Sequence, residues 1–403
     1  MLPSRGVLRH RDFALLLGGR FLSAMAVQIQ NVAVGWLVYD LTRDPLALGL
    51  VGLATFLPAI GLALVTGHVA DRYDRRRILM ICYVLTTLTA LGLFACVWTH
   101  TTAVWLVYAL MFAFGVTRAF GNPASQALLP NLVPAAELSP AIAWGSSVWQ
   151  TATIIGPAVG GALYVFGEPV VFGGAVLCFA MATLLFAAIR HRAAPAVREK
   201  TSWSTLLAGI GFIRSRPAVL GAISLDLFAV LLGGATALLP VYARDILNVG
   251  PSGLGLLRSM PAVGALGMAL YLAWRPLQRH VGRRMFAAVA VFGIATIGFG
   301  LSTSFLLSLS CLVVLGAADM VSVVIRQTLV QAETPDAMRG RVAAVNAVFI
   351  GASNELGEFE SGAVAALIGT VPSVVVGGIG TLLVAALWAR GFPALRDRDR
   401  LVL

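Results

Sequence analysis

The sequence predicts an all-α membrane protein with twelve transmembrane helices in two pseudo-symmetric six-helix bundles. Three observations carry that prediction. Only 12% of the 403 residues are charged and 59% are apolar. Apolar runs of roughly 20 residues recur along nearly the whole chain, the length that crosses a bilayer as a helix. Loop segments of the first half also reappear in the second.

Taken in order, the first 12 residues are basic, and the apolar run behind them continues as a full span without a small-residue cleavage site. It therefore reads as span 1 and not as a cleaved signal. Hydropathy then places twelve spans at 13–38, 46–70, 78–99, 103–121, 141–166, 170–189, 218–242, 252–272, 285–303, 305–330, 342–368 and 373–389. The expected organisation is an N-terminal bundle over 1–190, a cytoplasmic linker over 191–217 and a C-terminal bundle over 218–403. Of the 29 Lys and Arg residues, 23 fall in the tails and alternate loops on one side, against Arg43, Arg244 and Arg258 on the other. Arg20, Arg118 and Arg326 lie within spans. That asymmetry puts both termini in the cytoplasm. It also makes the net charge of +11 a topology signal and a fit to anionic headgroups, not a nucleic-acid footprint.

The halves repeat. "QALLPNLVPAAELSPAIA" from Gln126 and "QTLVQAETPDAMRGRVAA" from Gln327 align without gaps at an offset of 201, which also sets Gly156 on Gly357 and Gly161 on Gly362. "DRYDRRRI" from Asp71 and "QRHVGRRM" from Gln278 match at an offset of 207. Two such halves joined by the basic segment "RHRAAPAVREKTSWS" have the layout of parallel-repeat transporters, with a site near the midplane.

"GHVADRYDRRR", from Gly67 to Arg77, resembles the loop signature of the major facilitator superfamily. Gly67, Asp71, Arg72, Arg75 and Arg76 match it, and Asp74 replaces its second glycine, where a left-handed turn suits glycine better. The resemblance implies that this loop latches the two halves on the cytoplasmic face, Asp71 meeting the positive end of helix 11 and Arg118 joining the charge network. Span 5 carries "GPAVGG", similar to the core of a signature found in proton-coupled exporters of this superfamily, although Ala152 stands where an upstream glycine belongs. Pro157 removes an internal hydrogen bond, and Gly156, Gly160 and Gly161 permit close backbone approach, so this segment is the expected hinge. The whole chain, with "RDFALLLGGRFLS" near its start and "PDAMRGRVAAVN" before span 11, resembles the efflux branch that includes enterobactin-exporter-like proteins. The resemblance implies a bacterial inner membrane.

Residues 350–362, "IGASNELGEFESG", put three carboxylates into span 11. Charge at that depth is expensive, and its default reading is functional. Glu355 lies about 20 Å along the helix. At about 100° per residue, Glu358, Asn354, Gly351 and Gly362 share its face, and Glu360 points to the other side. Two carboxylates one turn apart cannot both ionise cheaply in low dielectric, so they are expected to share a proton, as proton coupling needs. Asp226, Asp319 and Arg20 are candidates for the same network, with Arg20 able to neutralise Asp319 or a span 11 acid. Arg326 reads as structural.

Gln28, Asn31, Trp149, Gln150 and Asn354 are candidates for lining a midplane cavity suited to an amphipathic organic compound. The sequence carries no nucleotide-binding loop, no nucleophile–base constellation and no metal-ligand spacing; the four cysteines read as packing residues. No cofactor is expected, and an enzyme is the least favoured class. The expected function is a monomeric secondary transporter that exports drug-like compounds or siderophores in exchange for protons by rocker-switch alternating access. A proton-coupled importer, or a non-transporting sensor or assembly factor with this fold, remains the alternative.

Overall fold

A computed structural model describes residues 5–62, 65–66, 69, 73–190, 203–277 and 279–400. Those residues are helical, with no strand among them. The first half contains α1 (Arg11–Thr42), α2 (Pro45–Gly61), α3 (Arg75–Trp98), α4 (Val104–Leu128), α5 (Leu138–Tyr164) and α6 (Glu168–Ala187). The second contains α7 (Trp203–Ser215), α8 (Pro217–Leu232), α9 (Gly250–Trp274), α10 (Val281–Leu301), α11 (Phe305–Glu333), α12 (Asp336–Ile368) and α13 (Thr370–Gly391). Nine of the described helical segments are long and apolar enough to cross a membrane. Span 11, now α12, is outside that set; its three glutamates dilute an otherwise apolar run.

Three differences from the sequence reading have local causes. Span 7 is one apolar crossing, Pro217–Ile246, but not one regular α-helix: α8 stops at Leu232, where Gly233-Gly234 follows, and the chain continues through 3-10, short helical and π turns to Ile246. Adjacent glycines are the weakest helix formers after proline, so the break falls there. The linker contains a helix, α7, whose Ile213 is buried in the core of the second half. Arg258, counted with the outer-side charges although span 8 contains it, lies inside α9.

Contact clustering divides the chain into two units. One is Met1–Arg43, Ala54–Thr201 and Gly250–Ser259; the other is Asp44–Leu53, Ser202–Val249 and Met260–Leu403. In the first, α1 packs on α5 and α6 and α3 packs on α4 and α6. In the second, α8 packs on α12 and α13 and α10 packs on α11 and α13. The repeat legible in the loops is thus a repeat of packing. Each unit buries an apolar core, Phe13, Leu16, Leu79 and Phe186 in one and Val219, Leu225, Met285 and Leu329 in the other. Large apolar side chains such as Trp105, Leu184, Leu306 and Leu367 remain exposed, as expected of a lipid-facing surface.

The first turn of α2 and the first turn of α9 use the same device. Pro45-x-x-x-Gly49 of α2 crosses α12 within the second unit, where a Cβ on Gly362 would lie 2.8 Å from the Pro45 carbonyl and 3.0 Å from Gly49 Cα. Pro251-x-x-x-Gly255 of α9 crosses α5 within the first, where a Cβ on Gly161 would lie 2.6 Å from the Pro251 carbonyl and 3.0 Å from Gly255 Cα. Only glycine permits backbones this close, and such crossings stabilise helix pairs in lipid through dispersion.

Candidate functional site

The second unit holds the most concentrated chemistry. Asp226, mid-way along α8, and Arg326, on α11, form an ion pair at 3.1 Å with both side chains buried. A second guanidinium nitrogen of Arg326 donates to Asn346 Oδ1 of α12 at 3.0 Å, so one arginine ties three helices. Asp319, seven residues before Arg326 and therefore on the same face of α11, lies within electrostatic reach of both Asp226 and Arg326. Asp226, Asp319 and Ser322 line a cavity of about 10 Å³ whose other walls include Ala229, Val289 and Phe292. That is room for about one water. Asp319 has no hydrogen bond or ion pair among the described residues. Two carboxyl groups therefore share one guanidinium inside a mostly apolar cluster, an arrangement that accommodates one negative charge and leaves the second acid to be neutralised by a proton.

Glu355 and Glu358 lie on the face of α12 that meets α2. A Cβ on Gly52 would sit 3.0 Å from Glu358 Oε2 and 3.7 Å from the Glu355 carbonyl. Gly362 shares this face, as the helical spacing requires, whereas Asn354 is exposed. Glu360 is partly buried beside Ser361, whose hydroxyl lies 3.4 Å from Glu360 Oε2.

In the first unit, Arg118 of α4 lies over the Phe114 ring at 5.8 Å and lines a cavity of about 60 Å³ together with Ser23, Tyr83, Asn122 and Trp149. Arg20 lies against Gly145 of α5, where a Cβ would come within 3.3 Å of its Nη1. Neither arginine has an ion pair among the described residues. Tyr83 donates its hydroxyl hydrogen to Ser23 Oγ at 3.1 Å, and the Thr86 and Thr117 hydroxyls are 2.8 Å apart.

Of the other cavity candidates, Trp149 is 55% exposed. Gln28 instead packs on the hinge segment: a Cβ on Gly156 would meet its side chain at 2.5 Å. Asn31 and Gln150 are partly buried. Helix α5 runs unbroken through Pro157, with Gly156, Pro157, Gly160 and Gly161 all buried.

The loop signature is described in part. Gly67, Asp71 and Arg72 lie outside the described residues. Asp74 adopts φ −60°, ψ 115° and accepts from the Arg76 amide at 2.9 Å, which caps α3. This position therefore needs no left-handed turn, and aspartate at the superfamily's glycine position supplies an N-cap. Arg75 is buried, and Arg76 Nη2 donates to the Ala187 carbonyl at 2.8 Å, fastening α3 to the C-terminal end of α6.

Sequence reasoning missed four participants. Arg326 reads as structural in the sequence, because nothing there pairs it with Asp226, whereas the structure makes it the counter-ion of that acid. Tyr83 and Asn122 went unnoticed because neither carries charge. Gln30 is fully buried, its amide nitrogen 3.7 Å from Met111 Sδ and its Oε1 without a hydrogen-bond partner among the described residues.

Comparison with known proteins agrees with this architecture. A family model described as "Transmembrane secretion effector" matches residues 4–400. The enterobactin exporter EntS of Citrobacter koseri is 26% identical over 382 residues, covering 94% of this chain and 91% of that one. EntS of Escherichia coli O1:K1 is 25% identical over 380 residues with the same coverage. Among solved structures, a bacterial homologue of the iron transporter ferroportin superposes with a TM-score of 0.71 at 18% identity, covering 96% of this chain and 99% of that one. A bacterial homologue of the lysosomal transporter Spinster superposes with a TM-score of 0.73 at 15% identity, covering 95% and 97%. At those identities the structures speak for the fold.

Proposed function

The chain belongs to the transmembrane secretion effector family of the major facilitator superfamily, and we propose from that premise that it exports small amphipathic organic molecules in exchange for protons. It is a multi-pass secondary transporter of a small-molecule substrate and not an enzyme. Export is favoured over import by the Gly156–Gly161 segment and by relatives whose names describe siderophore export.

The observation that carries proton coupling is the pairing of Asp226 with Arg326 while Asp319 lines the same small cavity as Asp226 with no hydrogen bond or ion pair among the described residues. Asp319 takes up the proton at a carboxylate oxygen. Arg326 holds the charge of Asp226 balanced in either state. Releasing the proton leaves a net negative site whose cost drives the bundle toward the conformation in which a proton or cargo can re-enter. Glu355 and Glu358, packed against α2, are the second candidate carriers. The two bundles, 1–190 and 218–403, rock about the central site, with both termini cytoplasmic, the loop at Asp71 as latch and a monomer as the working unit.

The test is uptake of a panel of siderophores and lipophilic dyes into inverted vesicles with an acid interior. Wild type should accumulate cargo with the pH gradient. Asp319→Asn should lose that accumulation while still exchanging labelled for unlabelled cargo. Gradient-driven accumulation that survives Asp319→Asn, Glu355→Gln and Glu358→Gln together would rule out coupling through these acids, and accumulation only in right-side-out vesicles would mean import.

A further inference from the structure

The cavity of the first unit has a charge balance opposite to that of the second. We propose that it binds the anionic group of the cargo, so that the exported class is organic acids carrying a carboxylate or phenolate beside an aromatic ring. The proposal rests on the export reading above and names its cargo class.

Arg118 and Arg20 are two cations inside membrane-spanning helices; Arg118 and Tyr83 line the same cavity, and both arginines lie within electrostatic reach of the Tyr83 hydroxyl. A guanidinium at such depth is costly unless it meets a negative group. The described carboxylates of this unit do not fill that role. Asp12 accepts from the Arg190 amide, Asp40 lies 3.7 Å from Arg43, Asp74 caps α3, Glu137 binds Arg9 and His10, and Glu168 lies beside Tyr164. All five stand at or near helix ends, and none lines the cavity.

The remaining lining suits an aromatic acid. Arg118 offers a planar fork of donors that matches a carboxylate, and Asn122, one turn further along α4, adds an amide on the same face. Trp149, also lining the cavity, presents an indole that is 55% exposed and free to stack on a ring. The volume of about 60 Å³ holds a carboxylate-sized group and not a whole cargo molecule, so the anionic end enters and the ring stays against Trp149. Gly145 keeps room for the Arg20 guanidinium beside this cavity.

The test compares equilibrium binding of 2-naphthoate, its neutral isostere 2-naphthamide and a naphthyl trimethylammonium cation to the purified full chain in detergent. Wild type should prefer naphthoate over both by about ten-fold or more, the worth of a charge-assisted pair. Arg118→Gln should abolish the preference, Arg118→Lys should keep part of it, and Arg20→Gln should reduce it, each variant eluting as a monodisperse peak. Asp74→Asn, at the cap of α3 and outside the cavity, should leave the preference in place. Equal binding of the amide or the cation, no saturable naphthoate binding below about 10 mM, or loss of preference in Asp74→Asn to the same extent as in Arg118→Gln would each overturn the proposal. The export reading is judged separately by flux: transport of neutral or cationic cargo alone leaves export standing and removes the anion site, whereas Arg118-dependent naphthoate binding without flux of any cargo does the reverse.

Discussion

Removing Arg326 should be far more damaging than removing the aspartate it binds, although each change breaks the same 3.1 Å pair. In Arg326→Gln, Asp226 and Asp319 are left in one small cavity with no cation, and the folded state must hold both as neutral acids. Protonating a carboxyl group of ordinary acidity at pH 7 costs about 4 kcal/mol, from roughly three pH units at about 1.4 kcal/mol each. That agrees with the range of about 3–5 kcal/mol for breaking a buried pair from one side. In Asp226→Asn, by contrast, Arg326 keeps a carboxylate within electrostatic reach, because Asp319 lines the same cavity. Its cost should be about 1 kcal/mol, one hydrogen-bonded charge pair exchanged for another. The double variant Asp226→Asn with Arg326→Gln removes a charge of each sign and should recover most of the loss.

The assay is reversible unfolding in detergent–SDS mixtures at pH 7 and pH 5. The folded form of Arg326→Gln holds a proton that the unfolded chain gives up above about pH 4, so its destabilisation grows with pH and should shrink by about 3 kcal/mol between pH 7 and pH 5. Equal costs for the two single variants, or a cost for Arg326→Gln that does not change with pH, would refute the idea that Asp319 stands in reserve for Asp226.

Other expectations are local. Gly161→Val should separate α5 from α9, since a Cβ there would already press on the Pro251 carbonyl; we expect loss of transport and a destabilisation of about 1–3 kcal/mol in the same unfolding assay. Asp74→Ala should cost about 1 kcal/mol by uncapping α3, with Asp74→Asn close to wild type. At the C-terminus, Asp399 accepts from the His280 amide at 2.9 Å, and that bond holds its carboxyl below the ordinary range. A depressed carboxyl contributes above its unfolded value and stops contributing as pH falls through the folded one. Amide exchange of Val281 and Gly282, which donate to the Asp399 and Arg398 carbonyls, should therefore quicken only below about pH 4.

The fold was legible because bilayer thickness and the cost of unpaired backbone groups leave few choices: a chain with twelve apolar runs must make helices, and the Gln126 and Gln327 segments announced the duplication. The shared face of Glu358 and Gly362 followed from helical period alone. Partners were not legible. Nothing in the spacing of Asp226 and Arg326, a hundred residues apart, says that α8 and α11 bring them together, and Tyr83 looks like any span tyrosine until Arg20 and Arg118 converge on it. The Gly233-Gly234 break was visible as two weak helix formers, but the apolar run on both sides, which makes one span of Pro217–Ile246, hid the change of helix type within it.

The duplication also shows what each half was free to change. Gly49 and Gly255 occupy equivalent crossings, α2 on α12 and α9 on α5, and these positions kept glycine because the backbones touch. One turn beyond each crossing the constraint relaxes: α2 has Gly52, beside Glu358, whereas α9 has Arg258. The residue of α5 equivalent to Glu358 is Pro157. Close contact fixes the small residues, while the neighbouring positions set the sign of the charge. The same rule separates the two buried clusters, since one unit holds Arg20 and Arg118 without an acid in its cavity and the other holds two aspartates for one arginine. A repeat that served packing alone would have no reason to place opposite charges inside the spans of its two halves, where each costs several kcal/mol. The asymmetry is what a transporter needs if one half takes up protons and the other takes up an anion.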